Sequence, residues 1–111
     1  MTMETKTAIL LSEAFENEMQ VDGEIGEVIL ESNSSTGYYW QYVTDNSGVY
    51  QLIEEIDLRS EPTVGLSGTP IKKIWKFKGI RKGIGNILFE YYAPGLKQPM
   101  KSLVIRLKVV E

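Results

Sequence analysis

The sequence predicts an all-β protein folded as an antiparallel β-sandwich, and three observations lead there. Apolar and polar residues alternate at period two in several short stretches: Val28 and Leu30 against Glu27 and Glu31, or Leu103, Ile105, Leu107 and Val109 against Ser102, Arg106 and Lys108. Clusters rich in glycine, proline, asparagine and aspartate separate such stretches at spacings of roughly 8 to 12 residues. β-Branched and aromatic residues concentrate between the clusters, where they suit a pleated, half-buried surface.

Composition narrows the function. At 111 residues the chain suits one core, so residues 1–111 are read as a single domain. Hydrophobic residues at 42% and charged residues at 24% argue against disorder. A net charge of -3 leaves no basic excess for a phosphate backbone, so nucleic acid is not an expected partner. The chain has no cysteine and no histidine, which excludes disulfides, thiolate nucleophiles, the usual zinc sites and imidazole-based triads. A carboxylate-only enzyme needs two acids placed in a cleft, whereas the 15 Asp and Glu residues are scattered along polar positions. No enzymatic activity, catalytic residue, metal or cofactor is expected. Residues 8–11 form too short an apolar run for a signal-peptide core or a membrane span. Lack of cysteine leaves the compartment open, with a secreted, periplasmic or cell-surface location favoured over the cytoplasm.

In chain order, residues 5–21 fit two patterns. Ala8, Leu11, Phe15 and Met19 would line a helix face, whereas residues 5–11 read as a strand and Glu16-Asn17-Glu18 as a polar connection. Two short strands are expected, partly from the resemblance given below. Asp22-Gly23 is a turn dipeptide, and residues 27–31 form a half-buried strand. Asn33-Ser34-Ser35-Thr36-Gly37 then gathers small residues that can bond to nearby backbone, closed by a glycine able to take positive φ. A structured turn is expected there. Tyr38, Trp40 and Tyr42 follow on one face of a strand, with Tyr39 and Gln41 on the other. After the turn Asp45-Asn46-Ser47-Gly48, residues 49–58 alternate Tyr50, Leu52, Ile56 and Leu58 with an interruption at Glu54. A helical set, Val49, Leu52, Ile53 and Ile56, competes, and strand is assigned from β-branched and aromatic content.

Residues 59–70 are a loop, punctuated by Pro62, Gly65, Gly68 and Pro70 and carrying Val64 and Leu66. The next strand sets Ile71, Trp75 and Phe77 against Lys72, Lys76 and Lys78, a solvated face that would also protect a sheet edge. Gly79, Gly83 and Gly85 mark a turn with no strand-to-helix transition after it, hence no phosphate cradle. Ile87, Phe89 and Tyr91 alternate with Leu88, Glu90 and Tyr92, apolar on nearly both faces as a mid-sheet strand should be. Residues 93–99 form a third loop before the last strand.

Three of these loops resemble a known family. Residues 33–40, Asn-Ser-Ser-Thr-Gly-Tyr-Tyr-Trp, resemble the first signature loop of the chagasin-type inhibitors of papain-like cysteine peptidases, usually Asn-Pro-Thr-Thr-Gly-Tyr or Phe, often with Trp two residues on. Ser34 stands for the proline and Ser35 for the first threonine. Val64-Gly65-Leu66-Ser67-Gly68-Thr69 resembles the second loop, a Gly-x-Gly-Gly segment after a hydrophobic residue, with Ser67 replacing a glycine. Ala93-Pro94-Gly95 stands where the third loop carries Arg-Pro-Trp or Arg-Pro-Phe, so only the proline is kept. Three loops in the right order are more specific than any one of them.

The resemblance implies an immunoglobulin-like sandwich without disulfide. It also implies a monomeric, reversible, non-covalent inhibitor whose partner is a papain-like cysteine peptidase. Its loops would enter the cleft as a wedge: Ser35 and Thr36 nearest the catalytic thiol and imidazole, Gly65 to Thr69 along the substrate groove, Pro94 and its neighbours bracing the other side. The candidate peptidase-binding residues are Asn33, Ser34, Ser35, Thr36, Gly37, Val64, Gly65, Leu66, Ser67, Gly68, Thr69, Ala93, Pro94, Gly95 and Leu96. On this reading Ala93→Arg with Gly95→Trp would strengthen binding. The alternative is a cell-surface or secreted β-sandwich module that binds protein or glycan through aromatics such as Tyr39 and Tyr92 without touching peptidases. Asn33-Ser34-Ser35 is formally a glycosylation sequon, and a glycan there would obstruct the wedge.

Overall fold

The alternation in the sequence becomes the inner and outer faces of two sheets. The computed structural model describes residues 8–32, 37–58 and 71–111. Its strands are β1 (Ala8–Leu10), β2 (Asn17–Gln20), β3 (Ile25–Ser32), β4 (Tyr39–Thr44), β5 (Tyr50–Leu58), β6 (Ile71–Gly79), β7 (Gly83–Tyr92) and β8 (Lys101–Val110). One sheet has the order β1-β3-β6-β5 and the other β2-β8-β7-β4. The longer strands pair antiparallel, while β1 and β2 add in parallel to β3 and β8. This is the expected all-β, immunoglobulin-like sandwich without disulfide.

Inward-facing residues of both sheets make the core. Met19, Val28, Trp75, Phe77, Ile87, Phe89, Ile105, Leu107 and Val109 are each at most 2% exposed. Across the sandwich Trp75 meets Phe89 edge to face at 4.8 Å between centroids, and Tyr42 meets Phe77 at 5.2 Å. Such T-shaped contacts join the positive ring edge to the negative face, so they fix orientation as well as burying area. β7 lies between β8 and β4, as its two apolar faces require.

Three expectations need correction. Lys72, Lys76 and Lys78 guard no edge, because β6 lies between β3 and β5. Lys72 and Lys76 instead face cross-strand carboxylates, Glu31 and Glu54, each at 3.8 Å. Second, the register of β5 shifts between Leu52 and Glu54, a bulge that reverses the faces beyond it. Leu52 pairs with inward-facing Phe77, but Ile56 pairs with Ile74 on the outer face, and Glu55 falls opposite buried Trp75.

The third correction is Asn17, which lies in β2 and is 4% exposed rather than part of a polar connection. Its amide nitrogen donates to the carbonyls of Ser12, Phe15 and Arg106 at 2.8, 3.2 and 2.9 Å, and its oxygen accepts from the Ser12 N–H at 2.9 Å. One side chain thus ties the β1–β2 connection to β8. Asn17→Ala leaves these backbone groups without their partner, and urea denaturation should show a loss of about 2–3 kcal/mol.

The β4–β5 turn is held by Asp45. Its carboxylate accepts from the N–H of Ser47 at 2.9 Å and of Asn86 at 2.6 Å, so it joins the turn to β7. Partial burial pushes this carboxyl up. The backbone bonds from Asn86 and Ser47, with hydroxyl bonds from Ser47 and Tyr50, outweigh that and hold it below its ordinary value of 3.8. A depressed folded pKa stabilises the fold at pH values above the unfolded pKa, and the contribution disappears as pH falls through the folded value. The melting-temperature difference between wild type and Asp45→Asn should therefore be constant near neutrality and shrink below pH 3.8.

Candidate functional site

The register shows where the chain leaves each sheet. In the first, Ser32 pairs with Ile71 and Leu58 with Lys72, so β3 and β5 end, and β6 begins, at one end of the sheet. In the second, Tyr39 pairs with Tyr92 and Tyr91 with Lys101, so β4 and β8 begin where β7 ends. These ends lie together, because the Trp40 Nε1–H donates to the Glu31 carbonyl at 3.0 Å, fastening β4 to β3. The attachment points of segments 33–38, 59–70 and 93–100 therefore converge on one end of the sandwich. Of the sequence candidates, Asn33, Ser34, Ser35, Thr36, Val64, Gly65, Leu66, Ser67, Gly68 and Thr69 lie outside the described residues. Gly37, Ala93, Pro94, Gly95 and Leu96 lie within them.

Gly37 and Pro94 meet directly. Gly37 has φ +92°, as the turn chemistry of its segment suggested, and a Cβ built on it would stand 2.9 Å from Pro94 Cβ. An L side chain is disfavoured there twice, by backbone conformation and by its neighbour. The first and third segments are thus in contact through a glycine.

The third segment opens with a tight turn. The Leu96 N–H donates to the Ala93 carbonyl at 3.3 Å, with Pro94 at the second position and Gly95, at φ +77°, at the third. Proline followed by a positive-φ glycine is the type II pattern. Ala93 is 8% exposed, while Leu96 is 56% exposed. This changes the expectation for Ala93→Arg with Gly95→Trp: an arginine would have to leave a buried position and a tryptophan adopt φ +77°. Both changes would disturb the turn before adding contact.

Beneath the two segments lies an aromatic base. Trp40 and Tyr91 have centroids 4.7 Å apart, and Tyr38 stacks on Tyr91 at 5.7 Å. Lys101 Nζ sits 5.0 Å from the Tyr91 ring and 5.5 Å from that of Trp40, a cation–π arrangement with no local signature in the sequence. Near the end of β5 the bulge aims Glu55 at Trp75, whose Nε1–H it accepts at 3.1 Å. Lys73 lies 3.6 Å from Glu55, 3.9 Å from Asp57 and 5.4 Å from the Trp75 ring. Such half-exposed ion pairs add little stability individually. On the outer face Tyr39 and Tyr92 stack at 5.3 Å with 14° between planes. Partial burial and then the Glu90 carboxylate raise the Tyr92 phenol, which remains neutral.

Among the described residues no group of three or more His, Cys, Asp or Glu is disposed to hold a metal, and no helix is long and apolar enough to cross a membrane. The family model described as chagasin family peptidase inhibitor I42 matches residues 19–109, most of the chain and both sheets. The chain belongs to the chagasin family of peptidase inhibitors. A chagasin-family protein is an inhibitor, not an enzyme, in keeping with the lack of cysteine and histidine chemistry. Among solved structures, the cysteine protease inhibitor EhICP2 from Entamoeba histolytica is similar with a TM-score of 0.74 at 19% identity, covering 96% of this chain and 98% of that one. Amebosin is similar with a TM-score of 0.63 at 25% identity, again over 96% and 98% of the two chains. Both share the chagasin-like sandwich along nearly its whole length. Comparison with curated protein sequences gives no match.

Proposed function

We propose that this chagasin-family protein is a reversible, non-covalent inhibitor of papain-like cysteine peptidases, acting as a monomer and occluding the cleft with segments 33–37, 64–69 and 93–96. The observation that carries the proposal is the convergence of three segment attachments on one end, with Gly37 packed on Pro94. Similarity to a cysteine protease inhibitor supports the peptidase class.

The mechanism is steric and follows from preorganisation. A stable complex of this kind buries about 1,600 Å² in total, and its affinity depends on how little the partners must order themselves on binding. Here the Trp40–Glu31 bond, the Trp40–Tyr91–Lys101 base and the Gly37–Pro94 contact hold the roots of two segments before the peptidase arrives. Ser35 and Thr36 would place small hydroxyl side chains against the catalytic thiol and imidazole while presenting no peptide carbonyl in line for attack. The enzyme is blocked and the inhibitor is left whole.

Steady-state inhibition of papain and a cathepsin L-like enzyme is the test, with replacement of Ser35, Thr36 and Gly37 as the control. Reversible inhibition that disappears in the folded replacement variant is the expected result. Absence of inhibition at micromolar protein would leave a β-sandwich whose partner is something other than a papain-like peptidase.

A further inference from the structure

The third segment presents less than its position demands. Across residues 93–96 Ala93 is buried and Gly95 has no side chain, so at this turn Pro94 and Leu96 alone project. An interface of standard size needs about 800 Å² from each partner. A wedge inserted into a cleft also meets the cleft walls with its flanks, so missing contact at its tip can be supplied from beside it.

A row of side chains beside the tip fits that need. Tyr39 and Tyr92 are register partners on the outer face of β4 and β7, and beside them Met100, just ahead of β8, donates its N–H to the Tyr91 carbonyl at 2.7 Å. Tyr39 is 47% and Met100 57% exposed. The next row on this face, Gln41, Glu90 and Ser102, is polar and bounds the patch on the side away from the loops. An apolar centre with a polar border is the anatomy of a protein interface, and tyrosine and methionine are enriched in such centres. The stacked tyrosines form a flat surface with few rotamers to lose, while methionine adapts to an irregular wall.

We infer that Tyr39, Tyr92 and Met100 form a flank contact for an apolar wall of the peptidase cleft, doing the work that an arginine and an aromatic would do in the third segment. This rests on the inhibitor reading above. The patch is continuous with the Gly37–Pro94 contact through Tyr39 and Tyr92, which root the first and third segments. It therefore engages the same partner in the same event rather than a second ligand.

The test measures papain inhibition and melting temperature for Tyr39→Ser/Met100→Ser, Tyr39→Phe, and Val104→Ser. Val104 is an exposed apolar residue on the same face, beyond the polar row. The double variant should inhibit roughly thirtyfold more weakly, as loss of interface anchors does, mainly through faster dissociation. Tyr39→Phe keeps the ring and should therefore lose much less inhibition than the double variant, and Val104→Ser, outside the contact, should be neutral. Wild-type inhibition by the double variant, while replacement of Ser35, Thr36 and Gly37 still abolishes it, would overturn the flank contact and leave the inhibitor reading intact. A fall in melting temperature that accounts for the whole loss would overturn it as well. If wild type inhibits no papain-like enzyme, both fall together.

Discussion

Gly37→Val is expected to weaken peptidase inhibition roughly a hundredfold while leaving the sandwich folded. The residue sits at φ +92° and faces Pro94 so closely that a Cβ would stand 2.9 Å from Pro94 Cβ. A β-branched side chain can fit only if the backbone leaves the left-handed region or Pro94 moves away, and either shift displaces the roots of two segments at once. Pro94 is exposed, so the movement is available without opening the core, and the stability cost should stay near 1–2 kcal/mol. Gly37→Ala should fall between wild type and valine. Inhibition constants and melting temperatures measured side by side decide the matter, because equal losses in both would make Gly37 a folding residue rather than a site residue.

Phe89→Ala should show the opposite pattern. Phe89 is fully buried on β7 and touches Trp75 at 4.8 Å, Tyr42 at 5.9 Å and Phe77 at 6.4 Å, so it is packed by rings from both sheets. Removing that ring deletes its transfer free energy and leaves a cavity that three rigid neighbours cannot easily fill, for a loss of about 4 kcal/mol. Native stabilities lie near 5–15 kcal/mol, so the variant should remain mostly folded at 25 °C and melt much earlier. Its inhibition per folded molecule should be unchanged. Urea denaturation combined with titration against a known concentration of active peptidase separates the two quantities.

The faces of β3, β4, β7 and β8 were legible because the better-buried parity of each is mostly apolar and no bulge interrupts its pairing with its antiparallel neighbours. β5 was not, since a bulge between Leu52 and Glu54 leaves the letters in sequence while exchanging the faces beyond it. Glu55 is the residue so hidden: in the alternation it is a solvent-facing acid, and in the fold it accepts the Trp75 indole N–H. Asn17 was missed for a related reason. A buried asparagine looks like a turn residue until its three carbonyl partners, one of them 89 positions away, are known. At the site, the positive φ of Gly37 could be read from its setting among small polar residues, and the type II turn is written in Pro94-Gly95. The burial of Ala93, the Lys101 cation over Trp40 and Tyr91, and the stacking of Tyr39 on Tyr92 depend on strand pairing, which no local pattern encodes.

Occlusion of the cleft is tested most directly by the rate at which iodoacetamide alkylates the catalytic thiol of papain in the presence of saturating inhibitor. If the three segments cover the thiol without reacting with it, alkylation should slow in proportion to the bound fraction. Dilution should then return active enzyme and an uncleaved chain. Alkylation of the fully bound enzyme at the rate of the free enzyme would contradict occlusion, and recovery of a cleaved chain would contradict the non-covalent, substrate-unlike mode of binding.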